Sequence, residues 1–499
     1  MKILFICDWD YTLLWHPVAK RLKESGLASE CVAMVVGRIY YEMLREKNDG
    51  VFDRIYLMQD GVEQVPQHLP DIDERLSAIE RRYPESLLWR FVWADRSWVK
   101  CGYDEIRKRL VLCFDYFEQL YSLEKPGLVL ANAYASMPHL ISYEVAHKQG
   151  IPIVRPMSVR LEDRYVMSDN AMEFESWITD YFSGRCTLAP DTRAEVERFL
   201  DEFRRHSKKP AYQVLRAKEH HVSFGHLYRF LRYIFRYWFS GTFRGDHSKP
   251  NPLRRLWDES AWRIRRAYWL RPGQWDGYDN TERYVYFPLH VQPEMSTMTF
   301  APFYLDQLSI LENLSKSLPM SCRLLVKEHP SMLGRRKGSY YERIKALPNV
   351  RFVNPLADSF EITKNAAAIF TITGTVGLEG LIMKKPVIVL GSTFYRFCPL
   401  AIDAMNVAPT QWQGLLSETL SQYVHDEEVL ITFLGAVFER SFRGIYVEPL
   451  AALDKVLAER NLVTLIEQIR PLVVGKLVDL GNSNSLWQRH AMTVEGGGA

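Results

Sequence analysis

Residues 366–391 read AAAIFTITGTVGLEGLIMKKPVIVLG. An apolar run at 366–372 leads into the turn Thr373-Gly374-Thr375-Val376-Gly377 and a short helical segment from about Leu378. A second apolar run at 387–390 is introduced by Lys385-Pro386. The pattern predicts strand, turn, helix, strand. Continuously apolar runs suit strands buried on both faces of a parallel sheet. The turn then falls at the carboxyl end of its strand, where open α/β sheets bind ligands. Glycine lets the backbone approach an anion closely, and the Thr373 and Thr375 hydroxyls add hydrogen bonds. The N–H groups and positive dipole end of the following helix favour a phosphate. Glu379, in the first turn of that helix, is placed to accept from ribose hydroxyls. The competing reading is a tight strand-to-helix turn whose glycines serve packing alone.

Working outward, the same rhythm fills the second half of the chain. The run at 284–289 (YVYFPL) predicts a first strand, followed by the loop His290-Val291-Gln292-Pro293-Glu294. A helix is expected at 303–318, and a strand at 322–326 closing on Lys327-Glu328-His329-Pro330. A helix at 340–346, a strand at 350–353 and a short helix at 358–364 then lead back to 366–391. Proline biases the residue before it to extended geometry, which aims the His329 imidazole outward. His329 can donate to a phosphate and Lys327 adds charge. His290, Gln292 and Glu294 form the lip of the same sheet edge; Glu294 is a candidate for base recognition, acid/base work or support of the loop. After Pro399 the chain reads as mostly helical to about residue 480.

The first half repeats the β-α-β rhythm. Apolar runs at 2–7, 31–36, 52–58, 127–132 and 151–154 predict strands, with helical patterns at 17–25, across 71–120 and at 139–149. This is a parallel, doubly wound arrangement. Asp8, Asp10 and His16 follow the first strand, again at a carboxyl end. A carboxylate or histidine there can take a proton from an acceptor hydroxyl; a helix cap or a surface ion pair is the alternative. Asp95-Arg96 is a further acidic candidate.

Seven scattered cysteines, none in C-x-x-C spacing, argue against a disulfide framework and a zinc site and for a reducing compartment. MKILFICDWD turns acidic too early for a signal peptide, and no apolar run reaches the ~20 residues of a membrane-spanning helix. A cytosolic protein is expected. The net charge of +3 conceals an asymmetry: residues 227–271 hold eleven Lys or Arg against three Asp or Glu. In LYRFLRYIFRYWF (227–239), Arg229, Arg232 and Arg236 share one helical face beside aromatic residues including Trp238. A second Arg/Trp-rich helix is expected at 253–270. Three readings stand for this window. It binds nucleic acid, but no recognition motif accompanies it and no nucleic-acid partner is expected; it packs on a core through its aromatic face; or it lies on an anionic membrane surface.

Several stretches together resemble the bacterial capsule polysaccharide biosynthesis family, whose members include Kdo transferases of capsule assembly. They are YVYFPLHVQPE (284–294), LLVKEHP (324–330), FTITGTVGLEGLIMKKPVIVLG (370–391) and NAYASMPHLISYEVAHKQGIP (132–152). The His329-Pro330 pair is similar to the motif by which bacterial CMP-sugar transferases hold the nucleotide phosphate. The resemblance implies α/β class with GT-B architecture: two Rossmann-like domains facing a cleft, the donor in the C-terminal one, and no metal. It makes His329 and the Gly374–Glu379 loop donor-site candidates and Gln292-Pro293-Glu294 a cleft motif. The expected organisation is an acceptor domain at 1–185, a basic-aromatic helical insert at 186–280, a donor domain at 281–400, and C-terminal helices with a flexible tail at 401–499. The expected activity is glycosyl transfer from a nucleotide-sugar, taken as substrate with no further cofactor, to a polysaccharide or lipid-linked acceptor. The expected place is the cytoplasmic side of the membrane, held peripherally. A sugar-nucleotide epimerase of the same shape and a non-catalytic export or scaffold component are the alternatives.

Overall fold

A computed structural model of the chain describes residues 1–62, 64–84, 86–172, 175–206, 224–239, 251–279, 281–446 and 453–474, with the side chains of 224–229 left out. The chain divides into two compact units. One comprises Met1–Ala171, Lys209–Pro252 and the chain from Arg440; the other comprises Met172–Lys208 and Leu253–Glu439. This differs from the expected boundaries. The basic-aromatic region is shared between the two units, and so are the C-terminal helices: Trp412–Gln422 packs in the second core and Glu459–Val473 in the first.

In the first unit the apolar runs form β1 (Lys2–Cys7), β2 (Glu30–Val35), β3 (Arg54–Leu57), β4 (Leu128–Leu130), β5 (Ile153–Ser158) and β6 (Arg164–Ser168). The sheet order is β3-β2-β1-β4-β5-β6, ending on the short strand Phe442–Arg443. β3 through β5 pair in parallel; β6 and Phe442–Arg443 run antiparallel. Ile3, Phe5 and Cys7 alternate into a core shared with Leu14, Trp15, Val18 and Leu22 of the helix Tyr11–Glu24 and with Leu462, Leu465 and Ile469 of the helix Glu459–Val473. The C-terminal helix is therefore part of the N-terminal unit.

The second unit is built on β7 (Tyr284–Pro288), β8 (Arg323–Lys327), β9 (Val350–Val353), β10 (Ala368–Thr371), β11 (Val387–Val389) and β12 (Ala401–Asp403). Their order is β9-β8-β7-β10-β11-β12, parallel throughout. Val285, Phe287, Leu324, Val326, Phe370 and Ile388 share a core with Leu311, Leu314, Tyr341, Trp269 and Trp412. The alternate residues Tyr286, Lys327 and Thr371 therefore address the opposite face of the sheet. Two details depart from expectation. The helix expected at 303–318 begins at Gln307, because the Asp306 carboxylate accepts from the N–H groups of Leu308 and Ser309. The region after Pro399 is not all helix: β12 and Phe442–Arg443 are strands, too short and too polar to register as apolar runs.

The α/β class and the two Rossmann-like sheets are thus present. In both sheets the order reverses at the fourth strand: β4 sits beside β1, and β10 beside β7. Successive crossovers leave in opposite directions there, and the crevice at the carboxyl ends of that strand pair is where doubly wound sheets take ligands.

Candidate functional site

The carboxyl edge of the second sheet brings three predicted loops together. The His290 backbone N–H donates to Gln307 Oε1 at 2.7 Å, which fixes the turn after β7. The His290 Nε2 then accepts from the Thr373 backbone N–H at 3.1 Å and lies 3.4 Å from Thr371 Oγ1. Thr373 Oγ1 donates to the Ser296 carbonyl at 2.7 Å, and Ser296 Oγ donates to Glu294 at 3.0 Å. The turn after β10 is thereby sewn to the turn after β7 across the strand-order reversal. Gly374 occupies the N-cap of the helix Thr375–Ile382 and accepts from Tyr395 Oη at 2.7 Å. A Cβ on Gly374 would stand 2.9 Å from Thr371 Oγ1 and 3.1 Å from His290 Nε2; on Gly377 it would stand 2.5 Å from Tyr395 Oη. These two glycines are required by close approach. The Gly377 N–H closes the first turn on the Gly374 carbonyl at 3.0 Å, and the Thr375 and Val376 N–H groups ahead of it form the positive end of the helix, which favours an anion.

The loop after β8 is fastened by a buried ion pair. Glu328 is fully buried and accepts from the His329 N–H (2.8 Å), Arg336 Nε (2.8 Å) and Tyr341 Oη (3.0 Å). Arg336 also donates to the His290 carbonyl at 2.7 Å and to Gln292 Oε1 at 3.3 Å, and lies over the Tyr340 ring at 4.8 Å. Gln292 Nε2 donates to the Leu305 carbonyl at 2.6 Å, and Gln292–Pro293 is a cis peptide. Burial pushes the Glu328 carboxyl up, opposed by Arg336 and by the hydrogen bonds it accepts. His329 itself is exposed. Its Nδ1 accepts from the Ser331 N–H at 3.3 Å and lies 2.7 Å from Ser331 Oγ, so the neutral ring carries its proton on Nε2. Pro330 opens the short 3-10 turn Pro330–Met332.

Not every predicted residue joins this edge in the expected way. Lys327 is buried and donates to Ser359 Oγ at 3.0 Å, on the face opposite the main core. Glu379 faces that same side: after burial, its charge is the next cause pushing the Tyr286 phenol up. The loop residues His290, Gln292, Thr373 and Gly374 are brought together, while Lys327 and Glu379 gather beneath them near Tyr286 and Ser359. Glu328, Arg336 and Tyr395 were not foreseen. Glu328 keeps step with Leu324 and Val326 along the buried register of β8. A carboxylate in that register was a readable signal that a cation must meet it.

The first sheet carries its own polar edge, again at the strand pair where the order reverses. Asp8, after β1, approaches His139 Nε2 at 3.4 Å, and His139 Nδ1 lies 2.7 Å from Ser136 Oγ. His139 is buried, and desolvation pushes its imidazole down to about 4. Asp10 accepts from Tyr40 Oη at 2.7 Å. His16 lies against Phe52. Asp95 is buried and accepts from the backbone N–H groups of Ser97, Trp98 and Met137. It is a backbone anchor for the start of the helix Met137–Lys148, which removes it from the acidic candidates.

The basic-aromatic window forms two helices, Phe224–Trp238 and Pro252–Trp269. In the first, Leu231, Phe235 and Trp238 are exposed along one stripe with Arg232 and Arg236 on its flank, while Tyr233 is buried on the opposite side. Arg229 falls among the residues whose side chains are outside the description. Among the described residues no helix is long and apolar enough to cross a membrane.

The fold and the loop cluster define a doubly wound α/β protein with an anion-suited edge on its second sheet. The family model described as capsule polysaccharide biosynthesis protein matches residues 245–424, the segment that carries that edge. Protein FixF of Sinorhizobium fredii (strain NBRC 101917 / NGR234) is 29% identical over 176 residues, and the chain spans 41% of that protein's length, using 34% of its own. Among solved structures, the chain is similar to KpsC, beta Kdo 2,4 transferase, of Thermosulfurimonas dismutans. The identity is 15%, with 63% of this chain and 80% of that one covered and a TM-score of 0.37. It is also similar to a UDP-GlcNAc 2-epimerase of Methanocaldococcus jannaschii, at 13% identity, 88% and 99% coverage and a TM-score of 0.26.

Proposed function

We propose that the chain is a glycosyltransferase of cell-surface polysaccharide assembly, taking a sugar from a nucleotide-sugar such as a CMP-Kdo-like donor. The observation that carries this is the tying of three loops at one sheet edge, through His290–Thr373 and Glu328–Arg336, beneath an outward His329. The nucleotide phosphate is held by His329 Nε2–H and the N-terminus of Thr375–Ile382, with Thr375 in its first turn. In the reaction, an acceptor hydroxyl oxygen bonds to the anomeric carbon and the carbon–oxygen bond to phosphate breaks. The hydroxyl proton goes to a carboxylate, for which Glu294, Asp8 and Asp10 are the candidates. Negative charge grows on the departing phosphate, and donors fixed in advance stabilise it without reorganising. Following the resemblance, no metal is assigned a part. The acceptor is a polysaccharide or a lipid-linked glycan, and the place of work is the inner face of the membrane, with Arg232, Arg236 and Trp238 toward an anionic surface.

A thermal-shift screen with CMP, UDP and GDP tests the donor reading, since a ligand bound only by the native state raises apparent stability. One nucleotide raises the melting temperature, and His329→Ala reduces that rise and abolishes transfer while the protein stays folded. Wild-type turnover in His329→Ala removes the histidine from the mechanism. Turnover of a nucleotide-sugar with no acceptor present identifies an epimerase instead.

A further inference from the structure

The helix Pro252–Trp269 has two apolar faces, and among the described residues one of them is packed. On the packed face Trp262 Nε1 donates to the Leu333 carbonyl (2.9 Å), Arg265 Nε to the Gly334 carbonyl (2.7 Å) and Arg266 to the Pro330 carbonyl (3.3 Å). Arg335 stacks over Trp262 at 4.5 Å, and the buried Trp269 meets Tyr341 edge-on at 4.8 Å, whose hydroxyl donates to Glu328. The helix thus grips the segment after His329 along its length. The grip is close: a Cβ on Gly334, whose φ is +78°, would stand 2.6 Å from the Arg266 backbone nitrogen.

The opposite face is exposed among the described residues. Leu253, Trp257 and Ile264 are 65%, 74% and 72% exposed, with Leu256 and Tyr268 also exposed. At 100° per residue these positions fall within one stripe, on the order of 20 Å long. Arg254 lies on one flank and Arg263 on the other, each weakly engaged with an exposed acid, Asp258 at 3.9 Å and Glu259 at 3.6 Å. Phe224–Trp238 repeats the design, with one buried tyrosine and an open stripe beside arginines. An apolar stripe with arginines along its borders complements the interface of an anionic bilayer. The rings and aliphatic chains enter the acyl boundary while the guanidinium groups remain at the phosphates.

We propose that the Leu253–Ile264 stripe seats on an anionic lipid surface, and that this seating steadies the His329–Pro330 loop, so that the membrane-bound protein holds a nucleotide more tightly than the free protein. The second part rests on the donor reading above; the first does not. The linkage is reciprocal: whatever lipid does for nucleotide affinity, nucleotide does for lipid affinity.

The full chain is sedimented with vesicles of phosphatidylcholine alone and with added phosphatidylglycerol, and CMP and UDP are titrated calorimetrically with and without each vesicle. Wild type binds the anionic vesicles, less so at high salt, and the better nucleotide binds several-fold tighter there. Trp257→Glu/Ile264→Glu loses roughly a hundredfold in vesicle affinity and keeps the nucleotide affinity measured without vesicles. Gly334→Ala, which disturbs the grip but not the stripe, still sediments but loses the vesicle-dependent gain. Undiminished sedimentation of the double variant overturns the lipid contact. A lowered melting temperature in that variant would then show the stripe to be covered by another segment of the chain, and a change from dimer to monomer would show a second copy. Equal nucleotide affinity on and off anionic vesicles overturns the coupling. Absence of nucleotide binding in every arm removes the donor reading and the coupling together, and leaves the lipid contact to be decided by sedimentation.

Discussion

Arg336→Met removes the cation from the centre of the loop cluster. The side chain is nearly buried and makes four contacts of consequence: Glu328, the His290 carbonyl, Gln292 and the Tyr340 ring. Methionine fills much of the volume, so the loss is electrostatic. Glu328 is left in a dry site with only the His329 N–H and Tyr341 hydroxyl as donors. Removing one partner of a buried pair costs about 3–5 kcal/mol, because the other charge stays behind uncompensated. For a unit of this size that lowers the melting temperature by roughly 10 °C. The pH dependence has a definite sign. Without Arg336 the Glu328 carboxyl, already raised by burial, rises further above its unfolded value of 4.5. A raised acid binds more protons in the folded state, so the deficit of Arg336→Met shrinks as pH is lowered from 7 toward 5. In Glu328→Gln/Arg336→Met no charge is stranded, and most of the lost stability returns. Calorimetric melting of wild type, Arg336→Met, Glu328→Gln and the double variant, at pH 7 and pH 5, measures the coupling. A single-variant loss below about 1 kcal/mol, or a double variant no better than Arg336→Met, would refute the account of this pair as the fastening of the three loops.

Gly377→Ala presses a methyl against Tyr395 Oη and breaks its hydrogen bond to the Gly374 carbonyl. The expected cost is about 1–3 kcal/mol in urea unfolding, with a weaker response to nucleotide in the thermal-shift assay; Tyr395→Phe, which keeps the space, costs less. His139 is held neutral in the fold and is depressed to about 4 from 6.5, so the unfolded chain binds its proton first. The stability of the first unit is therefore unaffected by this group above 6.5 and declines as pH falls toward 4, by up to about 3 kcal/mol. His139→Gln flattens that slope; an unchanged acid limb in urea titrations would count against it.

The strands most legible in the sequence are those buried on both faces, such as YVYFP and AIFT, where no polar residue interrupts the run. β6 (RYVMS) escaped notice because Arg164 and Ser168, though buried, break the apolar run, while antiparallel pairing with β5 and Phe442–Arg443 makes the strand. The site divides in the same way. His290, His329 and Gly374 were legible because each follows directly on an apolar run, and a parallel sheet places all such loops at one edge. Arg336 lies in the polar stretch GRRKG, and Tyr395 in FYRF, between elements with no periodicity of their own. Their partners are chosen by the approach of segments tens of residues apart. Lys327 shows the converse: its neighbour His329 points to solvent, but alternation along β8 turns Lys327 onto the opposite face, to Ser359.

Phe442–Arg443 completes the first sheet by pairing with Arg164–Ser168, and the helix Glu459–Val473 closes its core. A chain made from its N-terminus at ~5–20 residues per second presents the β6 edge for roughly 15–55 s before that partner is synthesised. An unpaired edge is a template for other chains throughout that interval. In the second unit every strand of the sheet falls between Tyr284 and Asp403, so no strand edge there waits as long for its partner. Slowing translation therefore lengthens the hazard for the unit that starts first, and the length of that window depends on the sequence distance between two short strands rather than on the stability of the finished protein.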